Sequence, residues 1–353
     1  WYENDGAANP SFTAADIATS ADGAQDVHIA DMDGDGDLDI VSASQQDDTI
    51  AWYENDGAAN PSFTAADIAT SANYATGVYV ADMDGDGDVD ILIGGHSSRQ
   101  PGLLTRIMVK LKLKDWPSLG GELVWYENPS WQKNNISNDY KLRTDLEVGD
   151  INLDGKNDVV ALTDKGVVIF YAPDWRPELL DSALMHDVEI SDLDKDGDLD
   201  LVLRDQTLFG HNKGQEIVIY WQESAGQWLK QVEKSQPGEG LKVADINLDG
   251  FADIVVNQDV LLNPAGEHGE LWKALPYSGE WSWQDVFVDV WDMNGDGAPD
   301  ILLSPSEPVG AHYRISWFQN PNARAYDDGE WVEHVVDDSV EAVHHFIGAG
   351  DYD

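Results

Sequence analysis

The stretch DMDGDGDLD, residues 31–39, decides how this chain folds, because acidic residues alternate through it and glycines supply its turn. The pattern returns five times, as DMDGDGDVD (82–90), DINLDGKND (150–158), DLDKDGDLD (192–200), DINLDGFAD (245–253) and DMNGDGAPD (292–300). A partial copy occupies 351–353. Asp or Asn fills positions 1, 3 and 5 of every complete copy, Gly fills position 6 and Asp fills position 9, while positions 2, 4, 7 and 8 vary. We number these segments as the first to sixth loops.

This spacing places oxygen atoms where a calcium ion needs them. Calcium takes about six to eight oxygen ligands, and in EF-hand loops positions 1, 3 and 5 give side chains while position 7 gives a backbone carbonyl. Gly at position 6 suits the sharp turn, since a left-handed backbone costs glycine little. Asp-Gly clusters also form ordinary turns, but six copies with the same fixed positions favour metal binding. Calcium is favoured over magnesium because an all-protein oxygen cage suits the larger ion, and zinc is disfavoured because there is no Cys.

The predicted cofactor is Ca²⁺, up to six ions, with position 7 contributing only its carbonyl. The predicted ligands, loop by loop, are Asp31, Asp33, Asp35, Asp37 and Asp39; Asp82, Asp84, Asp86, Asp88 and Asp90; Asp150, Asn152, Asp154, Lys156 and Asp158; Asp192, Asp194, Asp196, Asp198 and Asp200; Asp245, Asn247, Asp249, Phe251 and Asp253; and Asp292, Asn294, Asp296, Ala298 and Asp300.

The charge of the chain agrees with cation binding. The formal net charge is −47, from 67 acidic and 20 basic residues, and such an excess destabilises a compact state by self-repulsion. Positions 1, 3, 5 and 9 of the six loops hold 21 of these carboxylates, so folding is expected to depend on calcium. Nucleic acid is not an expected partner, because its phosphates need a basic surface. No stretch is long and apolar enough for membrane insertion.

The distances between loops predict a repeat architecture. Loop starts are 51, 68, 42, 53, 47 and 59 residues apart, and such periods are typical of propellers, solenoids and arrays. Around the first loop, DVHIAD, DIVSAS, TIAWYEN and PSFTAADIA each have the pattern of a short strand. Four strands per repeat predict a propeller blade.

These loops resemble those of the FG-GAP and VCBS repeat families, in which a D-x-D-G-D-G-x-x-D calcium loop joins the first two strands of a blade. The resemblance covers nearly the whole chain and implies a β-propeller. Similar repeats occur in integrin α-subunit heads, bacterial surface proteins, lectins, and some polysaccharide lyases and sugar dehydratases. The third and fifth loops depart from the pattern, with Leu153 and Leu248 at position 4 and Asn at position 3.

The expected fold class is therefore all-β, a single seven-bladed β-propeller domain over residues 1–353. Its seventh blade is split between the termini and lacks a second strand, so we expect the natural chain to extend beyond both ends. The spacing of 68 residues predicts an insertion at about 94–121.

A second candidate site follows from strand direction. The first strand of each blade runs toward its loop, so residues opening the first strands and following the second strands should gather at the opposite face. Catalytic candidates there are His186, Arg204, His211, His312 and His345. Such a set suits general acid/base chemistry on a sugar. It could equally bind a second metal. Alternatively, these residues belong to polar loops that are simply solvated.

We therefore expect an extracellular calcium-binding propeller that acts as a carbohydrate- or protein-binding adhesion module. Millimolar-affinity calcium loops are useful where calcium is abundant, which favours a secreted, cell-surface or periplasmic location and a polysaccharide or surface protein as partner. The alternative is a polysaccharide lyase or sugar dehydratase that uses the His/Arg/Asp site.

Overall fold

The computed structural model describes residues 1–7, 10–72, 75–95, 122–205, 215–279, 281–307, 312–321, 330–340 and 346–352. Strands are the only regular secondary structure in these ranges. Among the described residues there is no helix long and apolar enough to cross a membrane. The predicted insertion falls mostly at 96–121, and His211 and His345 fall at 206–214 and 341–345, outside the described residues.

The first ten strands are β1 (Tyr2–Asn4), β2 (Phe12–Ala14), β3 (Ala24–Ala30), β4 (Asp39–Ser44), β5 (Thr49–Asn55), β6 (Phe63–Ala69), β7 (Ala75–Ala81), β8 (Asp90–Gly95), β9 (Leu123–Glu127) and β10 (Gln132–Ser137). The other strands are β11 (Leu142–Gly149), β12 (Asp158–Thr163), β13 (Gly166–Tyr171), β14 (Arg176–Asp181), β15 (Asp187–Ser191), β16 (Asp200–Arg204), β17 (Glu216–Ser224), β18 (Gln227–Lys234), β19 (Leu241–Ala244), β20 (Asp253–Val256), β21 (Asp259–Leu262), β22 (Lys273–Pro276), β23 (Val286–Trp291), β24 (Asp300–Pro305), β25 (Tyr313–Gln319) and β26 (Val332–Val340).

These strands form six four-stranded sheets, each made of four consecutive strands in chain order from β3 to β26. This arrangement confirms the predicted β-propeller blades. A further sheet contains β1 and β2 only. The four strands predicted around the first loop are β3, β4, β5 and β6, and they pair antiparallel as neighbours.

Each loop joins the first and second strands of its sheet, as predicted. The first strand ends immediately before position 1, for example at Ala30 and Ser191, and the second strand begins at position 9, for example at Asp39 and Asp200. All six residues of β4 are buried, whereas most of β6 is exposed. The second strand is buried along its whole length because both of its faces are covered, and the fourth strand forms the exposed edge.

The chain divides into two compact units. One unit contains Trp1–Thr19, Asp145–Leu162 and Gly166–Asp351, and the other contains Ser20–Thr144, Thr163–Lys165 and Tyr352–Asp353. In each unit, apolar clusters join consecutive sheets. Val41 of β4 and Ile91 of β8 share one cluster in the second unit, and Val202 of β16 and Ile254 of β20 share one in the first. Stacked sheet faces therefore form the core.

A side-chain amide at the end of the third strand repeatedly links one loop to the next. In the first unit, Asn320 Nδ2 donates to the carbonyls of Ile246, in the fifth loop, and Pro299, in the sixth. In the second unit, Asn128 Nδ2 donates in the same way to the carbonyls of Met32, in the first loop, and Val89, in the second. Buried carbonyls need such donors, so the recurrent amide fixes the loops in register with their own sheets.

Candidate metal centres

The six loops share one hydrogen-bond scheme that sets the orientation of their acidic side chains. In the first loop, Asp31 Oδ1 accepts from the Gly34 and Asp35 amides, and its Oδ2 accepts from Gly36. Asp33 Oδ1 accepts from the Asp35 amide, which leaves Asp33 Oδ2 outside these bonds. The scheme returns in the sixth loop, where Asp292 accepts from the amides of positions 5 and 6. Short side chains that bind the nearby backbone fold the loop around its own oxygens.

In three loops the carboxylates come close enough to share a cation. The groups Asp31, Asp33 and Asp35, Asp82, Asp84 and Asp86, and Asp192, Asp194 and Asp200 each offer ligand oxygens that lie within 4.8 Å of one another. Like charges at such distances repel unless a cation or proton intervenes. These donor sets consist of carboxylate oxygens alone, the hard ligands that calcium prefers.

Position 9 has a structural role that the sequence did not reveal. Asp39 is buried, its Oδ2 accepts from the Met32 amide and its Oδ1 accepts from the Asn55 amide at the end of the third strand. Asp300 repeats both bonds, to Met293 and Asn320. The position 9 carboxylate thus ties the loop to the third strand, and any ligation by it remains a prediction.

Burial changes the acidity of position 9. It raises the pKa of Asp90 and Asp158 to about 6 and that of Asp200, Asp253 and Asp300 to about 7. Buried carboxylates resist ionisation because the charged form loses its hydration. A bound cation would favour the ionised form and so couple metal binding to proton release.

His186 lies at the start of β15, between two carboxylates. Its Nδ1 is 3.0 Å from Asp187 Oδ1, and its Nε2 is 3.7 Å from Glu239 Oε1. Ser306 Oγ donates to the other oxygen of Glu239 at 2.9 Å. Burial lowers the pKa of His186, but Asp187 and Glu239 more than offset this effect and raise the pKa to about 9. The imidazole is therefore a cation at neutral pH.

Arg204 lies near His186, as the strand directions predicted, because the Arg204 carbonyl accepts from the His186 amide at 2.9 Å. Its side chain is fully buried. It donates to the carbonyls of Gln236, Glu239 and Gly240 and to Asn257 Oδ1, at 2.6–3.0 Å. A guanidinium with these bonds is an internal anchor between β16 and the segment before β19. Of the other candidates, His312 is exposed just before β25.

The first strands of two sheets, β15 and β19, also carry a charged pair that the sequence did not predict. Lys242 Nζ of β19 lies 2.7 Å from Glu189 Oε1 of β15, and Glu189, Glu147 and Asp289 raise the pKa of this lysine. The sequence signal for the acidic partner of Lys242 was the spacing of two residues between Asp187 and Glu189, which places both carboxylates on one face of β15.

The charged state of His186 predicts a pH dependence. Its folded pKa lies above the ordinary value, so its contribution to stability is complete below about pH 6.5 and is lost as the pH rises through about 9. We expect the urea midpoint of the wild type to fall between pH 7 and 10 more steeply than that of His186→Gln. Equal slopes for the two proteins over this range would contradict the assignment. His312→Gln, at an exposed position, is the matched control.

Comparison with known proteins gives a family match for two stretches of the chain. Residues 31–93 and 192–256 match the FG-GAP-like repeat family. None of the curated proteins compared with the chain matches it. Among solved structures, the crystal structure of BBS1N in complex with ARL6DN is similar, with a TM-score of 0.53 and 11% identity over 96% of this chain and 87% of that one. A functionally unknown protein from Desulfotomaculum acetoxidans DSM 771 has a TM-score of 0.50 and 12% identity over 95% of each chain. At these identities the likeness shows the fold alone.

Proposed function

From the FG-GAP-like match of residues 31–93 and 192–256 and the six four-stranded propeller blades, we propose a calcium-stabilised module that binds a protein partner outside the cytoplasm. The convergence of carboxylate oxygens in the first, second and fourth loops supports the calcium assignment. The location follows from calcium supply, because loops of modest affinity fill where calcium is abundant.

The residues at position 4 of the loops support a binding surface formed by the loops. This residue has a positive φ in all six loops, at Gly34, Gly85, Leu153, Lys195, Leu248 and Gly295. Glycine adopts such a backbone without strain, whereas a bulky side chain there is unusual. The Leu153 and Leu248 side chains are also 57% and 37% exposed. Two exposed leucines held at a strained backbone position are better explained by contact with a partner than by stability.

A protein is the favoured partner class. The similar structure of BBS1N was solved in complex with ARL6DN, which is an example of a protein complex on this fold. Apolar loop tips suit a protein surface, whereas polysaccharides call for polar and aromatic contacts. Carbohydrate binding is therefore the alternative that the binding experiment below distinguishes.

We also propose that β1, β2 and residues 346–352 form a seventh repeat. Asn4 Nδ2 donates to the Met293 carbonyl at position 2 of the sixth loop, as the third-strand amides of other sheets do. Asn55 Nδ2 donates likewise to the Tyr352 carbonyl, at position 2 of the partial loop. The Phe287 and Phe346 rings lie 4.2 Å apart, each five residues before position 1 of its loop. These three contacts support the proposal of a seventh repeat.

The leucines give a prediction in which binding and stability change in opposite directions. Replacing both by glycine, Leu153→Gly and Leu248→Gly, should leave the melting temperature unchanged or raised, because the positive φ is relaxed. Partner affinity should fall by about tenfold or more, since a buried leucine contributes about 1.5–3 kcal/mol. Leu271→Gly is the control, because Leu271 is exposed but lies outside the loops.

The test has two stages. Cell-surface protein extracts and a panel of polysaccharides are passed over the immobilised chain in calcium and in EGTA, and a retained protein is purified and titrated against the wild type and the glycine variants. Calcium-dependent binding that the double variant weakens supports the proposal. Retention of polysaccharide alone would overturn the protein assignment, and shortened unsaturated products would identify a lyase instead.

A further inference from the structure

The connection between β22 and β23 packs against the face of β25. The Tyr277 and Trp281 rings lie 5.4 and 5.8 Å from the Phe318 ring, measured between ring centres. Trp331, which comes just before β26, lies 5.6 Å from Tyr277. Phe318 and Trp281 are 1% and 3% exposed. These rings therefore form a buried aromatic wall that fixes the side chains lying against it.

Arg314 of β25 lies on this wall beside two indole rings. Its guanidinium carbon is 5.4 Å from the Trp281 ring centre and 5.7 Å from that of Trp283. A guanidinium at such distances is attracted by the electrons of the rings. Its Nη2 lies 3.1 Å from Glu333 Oε1, and Ser316 Oγ donates to the same oxygen at 2.8 Å. We call Trp281, Trp283, Arg314 and Glu333 the tryptophan–arginine cluster.

The cluster holds hydrogen-bonding groups that the chain does not satisfy. Both contacts of Glu333 end on Oε1, which leaves Oε2 outside them. Arg314 Nε and Trp281 Nε1 are buried, and neither has an acceptor among the described residues. A buried N–H without an acceptor is costly, and most such groups in proteins are paired. An unused donor and an unused acceptor in one ion pair indicate a place for a ligand that offers both.

The same ion pair can be reached from solution. The side chains of Arg314 and Glu333 are 30% and 31% exposed, and Trp283 is partly exposed. Trp281 beneath them is buried. A dissolved molecule therefore meets a guanidinium, a carboxylate and an indole at one place, while deeper side chains hold these groups in position. Sites for small molecules commonly combine aromatic walls with a few placed polar groups.

The charges of the cluster favour a neutral ligand. Arg314 and Glu333 neutralise each other, and the net charge of −47 on the chain repels anions. A hydroxyl group both donates and accepts, so one hydroxyl can donate to Glu333 Oε2 while its neighbour accepts from the Arg314 guanidinium. Adjacent hydroxyls on a ring that also has an apolar C–H face are found together in sugars.

We propose that the tryptophan–arginine cluster binds a neutral hexose, with Glu333 and Arg314 on adjacent hydroxyls and the C–H face of the sugar on Trp283. The hexose is either free or the terminal residue of a glycan, since both present the same ring. This site shares no residue with the loop surface of Leu153 and Leu248, and so goes beyond the proposed function.

Titration of the full, calcium-loaded chain with hexoses tests the proposal. Glucose, galactose, mannose and their methyl glycosides are the probes, and binding is followed by saturation-transfer NMR and indole fluorescence. We expect at least one probe to bind, and Glu333→Gln and Trp283→Ala each to weaken it by about tenfold or more, because the first loses a hydrogen bond to a charged group and the second the contact with the sugar ring. A methyl glycoside that binds as tightly as its hexose indicates a glycan end, whereas binding lost on methylation indicates a free sugar.

Two variants outside the cluster serve as matched controls and should keep the wild-type affinity. Glu178→Gln also removes a carboxylate paired with an arginine, since Glu178 lies 3.7 Å from Arg176. Trp291→Ala also removes an accessible indole, since Trp291 is 43% exposed. Glu333→Gln keeps an oxygen acceptor for Ser316, so its melting temperature should stay close to that of the wild type.

A purely structural role for the cluster gives a different result. If Arg314 only braced β25 against the aromatic wall, the wild type would bind none of the probes, or both cluster variants would bind them as tightly as it does. Either result would overturn the proposal. Hexose binding that needs the cluster, in a chain that retains no protein partner, would support this inference and contradict the proposed function. Partner binding without hexose binding would do the reverse.

Discussion

Removal of calcium by EGTA is expected to lower the midpoint of thermal unfolding by about 10 °C or more. An ion present at a hundredfold excess over its Kd stabilises the folded state by about 2.7 kcal/mol. Three such ions, one for each loop in which carboxylate oxygens converge, contribute about 8 kcal/mol. At about 1.3 °C per kcal/mol for a chain of this length, this corresponds to the expected shift. Repulsion lowers the midpoint further. The net charge of the chain is −47, and without calcium the carboxylates of clusters such as Asp31, Asp33 and Asp35 repel one another.

The measurement is differential scanning calorimetry of the chain with calcium, with EGTA, and with EGTA saturated beforehand with calcium as the control. Magnesium at the same concentration should restore only part of the shift, because it demands octahedral geometry and keeps its waters. An unfolding midpoint that stays the same after chelation would rule out calcium as a structural element of these loops.

Replacing Arg204 by methionine is expected to destabilise the chain by about 3–5 kcal/mol, the cost of removing one partner of a buried ion pair. The substitution keeps most of the volume but removes the donors to the carbonyls of Gln236, Glu239 and Gly240. It also leaves Asp187 and Glu239 without the positive charge of the guanidinium. Urea unfolding should show a lower midpoint with an unchanged slope.

Arg176→Met is the matched control, because the Arg176 side chain is 67% exposed and lies 3.7 Å from Glu178. A surface pair of this kind contributes less than about 1 kcal/mol. If Arg204 instead contacted a substrate, as the catalytic alternative requires, Arg204→Met would abolish turnover while leaving the urea midpoint unchanged. That result would contradict the anchor role.

Local patterns in the sequence were enough to predict the strands and loops. The strands around the first loop matched β3 to β6 within about two residues, because their signals are short-range: alternating apolar residues, a turn glycine and side chains that bind backbone amides two to five positions away. Repetition made these signals strong. The same period predicted the four-stranded blade.

Contacts distant in sequence left no such pattern. His268 meets Asp194 across 74 positions, and Arg204 meets the Gly240 carbonyl across 36. The sequence placed Arg204 near His186 correctly, but whether its guanidinium faces solvent or the interior depends on how the segment before β19 packs against it. The position 9 aspartates were read as ligands alone, because their bonds to third-strand amides form only when the sheet assembles.

The sequence by itself determined the repeat, the blade and the acidic loops, since each arises from hydrogen bonds and alternation within a few residues. Tertiary structure alone decided which charged side chains are buried, which histidine is cationic and which loop receives an imidazole. These properties depend on desolvation and on partners from other strands, and neither is encoded in the spacing of neighbouring residues.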